Sequence, residues 1–291
     1  METSLLAPGH RACAGCAMPT AIRLVLDASG PNTIVASPTS CLEVTTTPFP
    51  ESAWCVPWIH SLFENAAAVA SGIEVMLKRR CQDTNVIVIG GDGSTFDIGM
   101  GSNSGMFERG HKILYVCYDN EAYMNTGVQR SGSTPFCVHT TTTPAGVRSM
   151  GNPRPKKDMP AIALAHRVPY VATASIAYPV DLRKKVKRAL ETQGPSYIQI
   201  NAPCITGWTF EAGTTVEIAR TAVETGLWPL LEWVNGNLTE VKKIRRPKPV
   251  EDYLKLQGRY KHLFKKPEGA NVIKDIQTIA NENIAKYKLV D

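Results

Sequence analysis

Two polar stretches, each directly after an apolar run, hold the residue types needed to bind a metal-bridged diphosphate. The first is Gly90-Gly91-Asp92-Gly93-Ser94, after Val86-Ile87-Val88-Ile89. The second runs from Asp119 through Asn120, Glu121, Ala122, Tyr123, Met124, Asn125 and Thr126 to Gly127, after Ile113-Leu114-Tyr115-Val116. Magnesium takes hard oxygen ligands in octahedral geometry and commonly shares phosphate oxygens. Asp92 offers a carboxylate, Asn120 a side-chain carbonyl and Ala122 a backbone carbonyl. Gly91 and Gly93 let the backbone come close to phosphate, and a helix starting there presents free N–H groups. Asp-Gly alone is a common turn signal. The second stretch, with Asn120 placed 27 positions after Gly93, turns that lone signal into a paired pattern.

Cysteines form a second chemical set. The chain has eight, at 13, 16, 41, 55, 81, 117, 137 and 204. Cys13-Ala14-Gly15-Cys16 lets two thiolates converge on one centre, and by itself admits an iron–sulfur cluster, a zinc site or a thioredoxin-like redox pair. The redox reading expects the pair after a strand, whereas here it precedes a helix predicted over 19–27. Zinc usually brings a second close pair of Cys or His, and none follows. Cys41 and Cys204 each stand just beyond a predicted strand, Thr33–Ala36 and Tyr197–Asn201.

The elements that position these groups read as an α/β chain. Short aliphatic runs bounded by Gly or polar residues predict buried strands. Helices are predicted over 62–79, 98–109, 159–166 and 179–191, with a strand over 170–172. The result is a doubly wound, mostly parallel sheet of five or six strands over residues 1–210, led in by an extended segment over 1–12. In such a sheet, loops at the carboxyl edge lie side by side and ligands bind there. Gly127 to Gly151 is a long polar connection, expected to cover the cofactor edge. Residues 211–291 form a C-terminal extension. It has a helix over 216–225, a strand over 230–234 with a turn at Asn235-Gly236-Asn237, a basic stretch over 242–266 and a helix over 272–287. With little core of its own, it is expected to wrap a partner subunit. Arg154-Pro155-Lys156-Lys157 reads as a solvated turn or a subunit contact. Cys117 reads as a small buried hydrophobe, and Cys137 as an inert loop thiol.

The paired Gly-Asp-Gly and Asn pattern resembles the thiamine diphosphate motif, and the resemblance extends over nearly the whole chain. Its carriers are Gly9-His10-Arg11-Ala12-Cys13-Ala14-Gly15-Cys16, Pro57-Trp58-Ile59-His60, Phe63-Glu64-Asn65-Ala66-Ala67, Gly90 to Ile98, Tyr118 to Gly127, Arg154 to Met159 and Pro203-Cys204-Ile205-Thr206-Gly207-Trp208. Together these resemble the β subunit of pyruvate:ferredoxin oxidoreductases. The resemblance implies the diphosphate-type thiamine diphosphate fold, and oxidative decarboxylation of pyruvate to acetyl-CoA and CO2 with electrons passing through a [4Fe–4S] cluster to ferredoxin. It implies Cys13, Cys16, Cys41 and Cys204 as cluster ligands, the third lying 25 positions after the second. Asp92, Asn120 and Ala122 become the Mg2+ ligands. Gly91, Gly93, Ser94, Thr126 and Cys41 become cofactor contacts, and Asn125 the catalytic side chain near the reactive carbon. Glu64 is expected at its helix start or on the diphosphate wall. The glutamate that activates the aminopyrimidine is expected on a partner subunit, together with further clusters. Ala17 and Ser40 stand where the family often has glycine, which bears on backbone packing around a cluster and hence its potential. His60 reads either as a substrate-side or as a structural histidine.

Other classes fit less of the chain. The same machinery acting on another small 2-oxoacid such as oxalate keeps every motif. A thiamine diphosphate decarboxylase without electron transfer leaves the four cysteines unused. A non-catalytic metal scaffold leaves the Asp92 and Asn120 pair unexplained. Hydrophobic residues make up 43 % and charged residues 20 %, as in ordinary globular proteins, so a packed core is expected. No apolar run reaches membrane-spanning length and no signal peptide is read, so a cytoplasmic location and no membrane partner are expected. The net charge of +6 is modest and comes with no recognition motif, so no nucleic acid is expected. Anaerobic purification followed by metal, sulfide and thiamine analysis should find about four irons per chain with matching sulfide. Zinc, with no visible absorbance, would remove the cluster.

Overall fold

Val86, Ile87, Val88 and Ile89 are buried to the last residue, as a parallel strand covered on both faces requires. The structure is a computed structural model and describes residues 4–291, so residues 1–3 of the expected lead-in lie outside the described residues. In chain order the elements begin with α1 (Ala17–Ser29), β1 (Thr33–Pro38), α2 (Cys41–Thr46), β2 (Trp58–Ser61), α3 (Ala66–Arg79) and β3 (Asn85–Gly91). After a π-helical turn at Ser94–Ile98 come α4 (Met100–Glu108), β4 (Leu114–Asp119), α5 (Met159–Ala165), β5 (Tyr170–Ser175), α6 (Pro179–Glu191) and β6 (Ser196–Asn201). The remainder comprises α7 (Ile205–Trp208), α8 (Thr215–Glu224), β7 (Leu231–Val234), β8 (Asn237–Val241), α9 (Val250–Lys255), a 3-10 turn at Gly258–Phe264 and α10 (Gly269–Tyr287).

One eight-stranded sheet runs β2-β1-β3-β4-β6-β5-β7-β8, six of its strands falling within residues 1–210, where five or six were expected, and two in the C-terminal segment. The first six are parallel and the last two antiparallel. The chain leaves β1 toward β2 and leaves β3 toward β4, in opposite directions. The crevice between β1 and β3 is therefore the topological switch point, where such sheets bind ligands. Ile87, Ile89, Val116 and Ile198 face α1 and α6, whereas Val86, Val88, Tyr115 and Tyr197 face α3, α4 and α5.

Local chemistry explains the helices. In α1, Ala17, Met18, Ala21, Ile22, Val25 and Leu26 form one buried stripe, and Gly30, at φ +76°, ends it. In α6, Pro179 opens the helix and Leu182, Lys185, Val186 and Ala189 face inward at helical spacing. Helix α3 begins at Ala66 rather than residue 62, so Glu64 lies in the preceding turn.

The C-terminal segment does not stand apart. Strand β7 pairs with β5, β8 covers β7, and Ile276 and Ala280 of α10 join Trp208, Ile218, Trp228 and Tyr253 in a third core. The expectation of little core is corrected here, because these apolar residues pack on one another, while Leu231, Trp233, Ile244 and Leu289 join the core on the sheet. Strand β2, which no sequence signal announces, is a four-residue edge strand with Ile59 and His60 exposed, and so carries no buried alternation. Glu232, buried in β7, accepts hydrogen bonds from Tyr170 Oη (2.9 Å) and Arg188 Nη1 (2.5 Å). The arginine is partly exposed. Arg188→Ala should therefore cost roughly 1–2 kcal/mol and lower Tm by a few degrees. An unchanged thermal unfolding curve would show that this link is not needed to hold β7 on the sheet.

Candidate functional site

At the β1/β3 crevice a cavity open to solvent is lined by Thr39, Ser40 and Cys41 after β1, by Gly91, Asp92, Gly93 and Ser94 after β3, and by Asn120, Ala122, Tyr123, Met124, Asn125 and Thr126 after β4. Phe63 and Tyr118 complete the wall. The three post-strand loops that the sequence singled out thus meet in one place. Glu64 is exposed and lies outside this lining. Its helix starts two residues later than its expected role required, and the adjacent Phe63 takes the wall position.

Asp92 is 1 % exposed and accepts a hydrogen bond from Ser131 Oγ. Asn120 is also buried. Turned one way, its amide nitrogen donates to Asp92 Oδ1 and to the Ala122 carbonyl, 2.9 Å from each. Turned the other way, its oxygen joins those two in a converging set of three oxygens. Adjacent ligands of an octahedral Mg2+ at 2.0–2.1 Å lie about 2.9 Å apart, so this spacing fits the metal. Burial, and then the neighbouring Asp119, push the Asp92 carboxyl well above the usual range.

Gly93 serves a different purpose from close phosphate approach alone. Its φ is −60°, which any residue adopts, but a Cβ would fall 2.4 Å from the Tyr123 ring. Tyr123 in turn donates to Asp97 Oδ2 at 3.1 Å. Ser94 and Thr95 turn their hydroxyls back to the Gly91 carbonyl. Asn125 and Thr126 sit on a tight exposed loop closed by a bridge between Tyr123 and Gln129 and by Thr126 Oγ1 donating to Gln129 Oε1 at 2.6 Å.

Beneath the cavity lies a charge network. Asp119, fully buried, accepts from Ser133 Oγ, Gln199 Nε2 (2.6 Å) and Lys156 Nζ (2.7 Å). Burial raises its pKa despite Lys156. Glu121 accepts from Lys156 Nζ at 2.9 Å and from Arg259 Nη2 at 2.7 Å. Burial alone would raise Glu121, but the two cations hold it below the usual range. Burial alone would likewise lower Lys156, and Asp119 and Glu121 hold it up. Lys156 is therefore not a solvated turn residue. In the polar connection after Gly127, Ser131, Ser133, Thr134, Thr140 and Asn152 are buried, most of them bonded beneath the site, while Thr141 in its exposed part donates to the Gly127 and Val128 carbonyls. Among these residues Ser131, Lys156 and Arg259 were given no site role in the sequence, although Lys156 stands in the Arg154–Met159 stretch. The first lies in a featureless polar run, the second in a basic run and the third in a basic tail.

The four cysteines singled out come from three packed segments. The Cys13–Cys16 loop rests on the stretch after Cys204: Thr206 Oγ1 is 3.9 Å from Cys13 Sγ, and Thr215 Oγ1 donates to the Gly15 carbonyl at 2.7 Å. Cys41 opens α2 rather than sitting in a loop. Burial pushes the Cys16 thiol up to about 11 and the Cys41 thiol up to about 12, and in each case nearby sulfurs add to the rise: Cys204 and Cys13 for the former, Cys204 and Cys16 for the latter. Buried thiols in one another's field favour ionisation when a cationic centre joins them. No three His, Cys, Asp or Glu side chains among the described residues close on a single metal ion. Cys117 and Cys137 are buried, and Cys55 and Cys81 exposed. Met124 and Gly207 touch, leaving 2.1 Å from Met124 Sδ to where a Cβ on residue 207 would stand. His60 Nε2 lies 2.8 Å from Thr39 Oγ1 at the cavity mouth.

A doubly wound sheet with a diphosphate-metal crevice at its switch point is the architecture of thiamine diphosphate-binding domains. The family model described as thiamine pyrophosphate enzyme, C-terminal TPP binding domain, matches residues 39–200. Pyruvate synthase subunit PorB of Methanosarcina barkeri is 60 % identical over 97 % of this chain and 96 % of its own length. The PorB subunit of Pyrococcus horikoshii is 47 % identical over 98 % and 92 %. Ketoisovalerate oxidoreductase subunit VorB of Pyrococcus abyssi is 48 % identical over 88 % and 85 %. Among solved structures, a 2-oxoglutarate:ferredoxin oxidoreductase from Magnetococcus marinus shares the fold, with a TM-score of 0.56 at 23 % identity over 75 % of this chain and 82 % of that one. The chain belongs to the pyruvate synthase PorB family of 2-oxoacid:ferredoxin oxidoreductase subunits, thiamine diphosphate enzymes that work with partner subunits. No helix among the described residues is long and apolar enough to cross a membrane.

Because the Asp92 carboxyl is raised, a proton competes with metal there, and Mg2+ affinity should fall as pH is lowered through that raised pKa. Calorimetry in buffers of different ionisation enthalpy should detect a proton released on binding. Asp92→Asn should weaken Mg2+ by more than the roughly 10- to 100-fold that loss of an outer partner costs. Unchanged affinity would remove Asp92 from the ligand set.

Proposed function

We propose that this chain is the β subunit of a pyruvate synthase, which oxidatively decarboxylates pyruvate to acetyl-CoA and CO2 and passes the electrons to ferredoxin. The observation that carries this reading is the convergence of Cys41, Asp92, Asn120 and Asn125 on one cavity. When bound, thiamine diphosphate supplies the nucleophilic carbon and electron sink that decarboxylation of a 2-oxoacid needs, and a [4Fe–4S] cluster supplies a one-electron acceptor.

Asp92, Asn120 and the Ala122 carbonyl hold Mg2+ on the diphosphate. Gly91, Gly93, Ser94 and Thr126 shape the diphosphate wall. Cys13, Cys16, Cys41 and Cys204 hold the cluster, with Cys41 shared between the cluster side and the cavity lining. Asn125, on an exposed loop at the same cavity, orients the reacting 2-oxoacid through its amide. The chain acts with partner subunits that bring the activating glutamate, and coenzyme A takes up the acyl group. The location is the cytoplasm.

A branched 2-oxoacid is the second reading, because the 48 % identical VorB relative is named for ketoisovalerate. The assembled enzyme, assayed anaerobically for ferredoxin reduction, should favour pyruvate over the branched acid in kcat/KM by about 10-fold or more. The reverse order would transfer the assignment to the branched acid. Asn125→Ala should lower kcat about 100-fold through misplacement of the reacting acid, with thiamine content unchanged. Cys41→Ala should lose ferredoxin reduction, and full retention would take that thiol off the cluster.

A further inference from the structure

Glu121 stands between two of the proposed Mg2+ ligands, Asn120 and Ala122, and its backbone is left-handed, with φ +69°. A non-glycine residue rarely occupies that region and stays there only when its surroundings hold it. Every polar group of Glu121 is held. Its N–H donates to Asp119 Oδ1 at 3.0 Å and its carbonyl accepts from Thr134 Oγ1 at 2.7 Å. One carboxylate oxygen takes Lys156 Nζ and the other takes Arg259 Nη2. The left-handed turn sets the directions of the residues on either side, so whatever fixes Glu121 fixes the aim of the Asn120 amide and the Ala122 carbonyl.

Arg259 grips this loop twice. Its guanidinium also lies 3.6 Å over the Trp208 ring, and Trp208 Nε1 donates to the Asn120 carbonyl at 2.7 Å. Gln257 Oε1 accepts from its Nε at 2.8 Å, and the side chain is buried. A planar fork can stack on an indole and reach a carboxylate at once, and a lysine ammonium cannot do both. The residue belongs to the 3-10 turn at Gly258–Phe264, outside residues 39–200 that the family model covers.

We propose that Arg259 is a positioning residue for the metal loop: through Glu121 and Trp208 it holds the left-handed turn that aims Asn120 and Ala122 at the Mg2+ of bound thiamine diphosphate. The proposal rests on the cofactor reading above and adds to it a requirement for the C-terminal segment. Neither Arg259 nor Glu121 touches the metal, so their effect reaches it as geometry.

Mn2+ is the probe. The assembled enzyme, stripped of metal and supplied with thiamine diphosphate, is titrated with Mn2+, and free Mn2+ is counted by electron paramagnetic resonance. Arg259→Lys and Glu121→Gln should each weaken Mn2+ by about 10- to 100-fold. The double variant should be no worse than the worse single one, because both remove the same link. Arg188→Ala, which loosens the far end of the sheet, should lower Tm and leave Mn2+ affinity unchanged. That separates aim from general stability. Wild-type Mn2+ affinity in both Arg259→Lys and Glu121→Gln would overturn the proposal, as would an equal weakening in Arg188→Ala. Failure of the unaltered assembly to bind Mn2+ would overturn the cofactor reading and this proposal with it.

Discussion

Three carboxylates, Asp92, Asp119 and Glu121, are each no more than 4 % exposed and share one corner of the sheet. Taking a carboxylate out of water costs several kcal/mol unless charge and hydrogen bonds replace the solvent. Two cations, Lys156 and Arg259, reach this corner, one bridging Asp119 and Glu121 and the other closing on Glu121. Asp92 receives a serine hydroxyl and no cation. The imbalance falls on the one carboxylate of the three that lines the cavity, while the other two are each paired with a cation. This constraint governs much else. It explains why part of a polar connection with no helix or strand of its own, Ser131 to Thr134, is buried, why a lysine in a basic run points inward, and why an arginine from the C-terminal segment crosses to the β4 loop.

Sheet order supplies the geometry within which the charges act. Because β1 and β3 are neighbours whose chains depart in opposite directions, the segments that leave them, bearing Cys41 and Asp92, are forced to face each other. The packing of the Cys13–Cys16 loop on the segment after β6 then brings the other sulfurs to the Cys41 side of the crevice.

Much of this was legible in the order of residues alone. Helix α6 was delimited residue for residue, because Pro179 marks its start and Leu182, Val186 and Ala189 keep helical spacing. The strands before Asp92 and Asn120 announce themselves as uninterrupted aliphatic runs. Strand β2 was not legible, since Ile59 and His60 face solvent and no burial pattern marks them. Nor was β8, which is exposed at Asn237, Leu238 and Thr239 and is ordered by pairing with β7. Lys156 and Arg259 were hidden for a different reason. A lone basic residue looks the same in a sequence whether it meets water or a buried carboxylate, and its partners here lie 35 and 138 positions away.

The contact between Met124 and Gly207 carries a further implication. One residue lies on the loop that bears Asn125, the other three positions after Cys204, and no atom fits between them. Any side chain at position 207 would have to displace the Met124 thioether, and with it the exposed loop that carries Asn125 and Thr126 along the cavity edge. The bare glycine thus ties the backbone just after Cys204 to the shape of a crevice built from quite different strands.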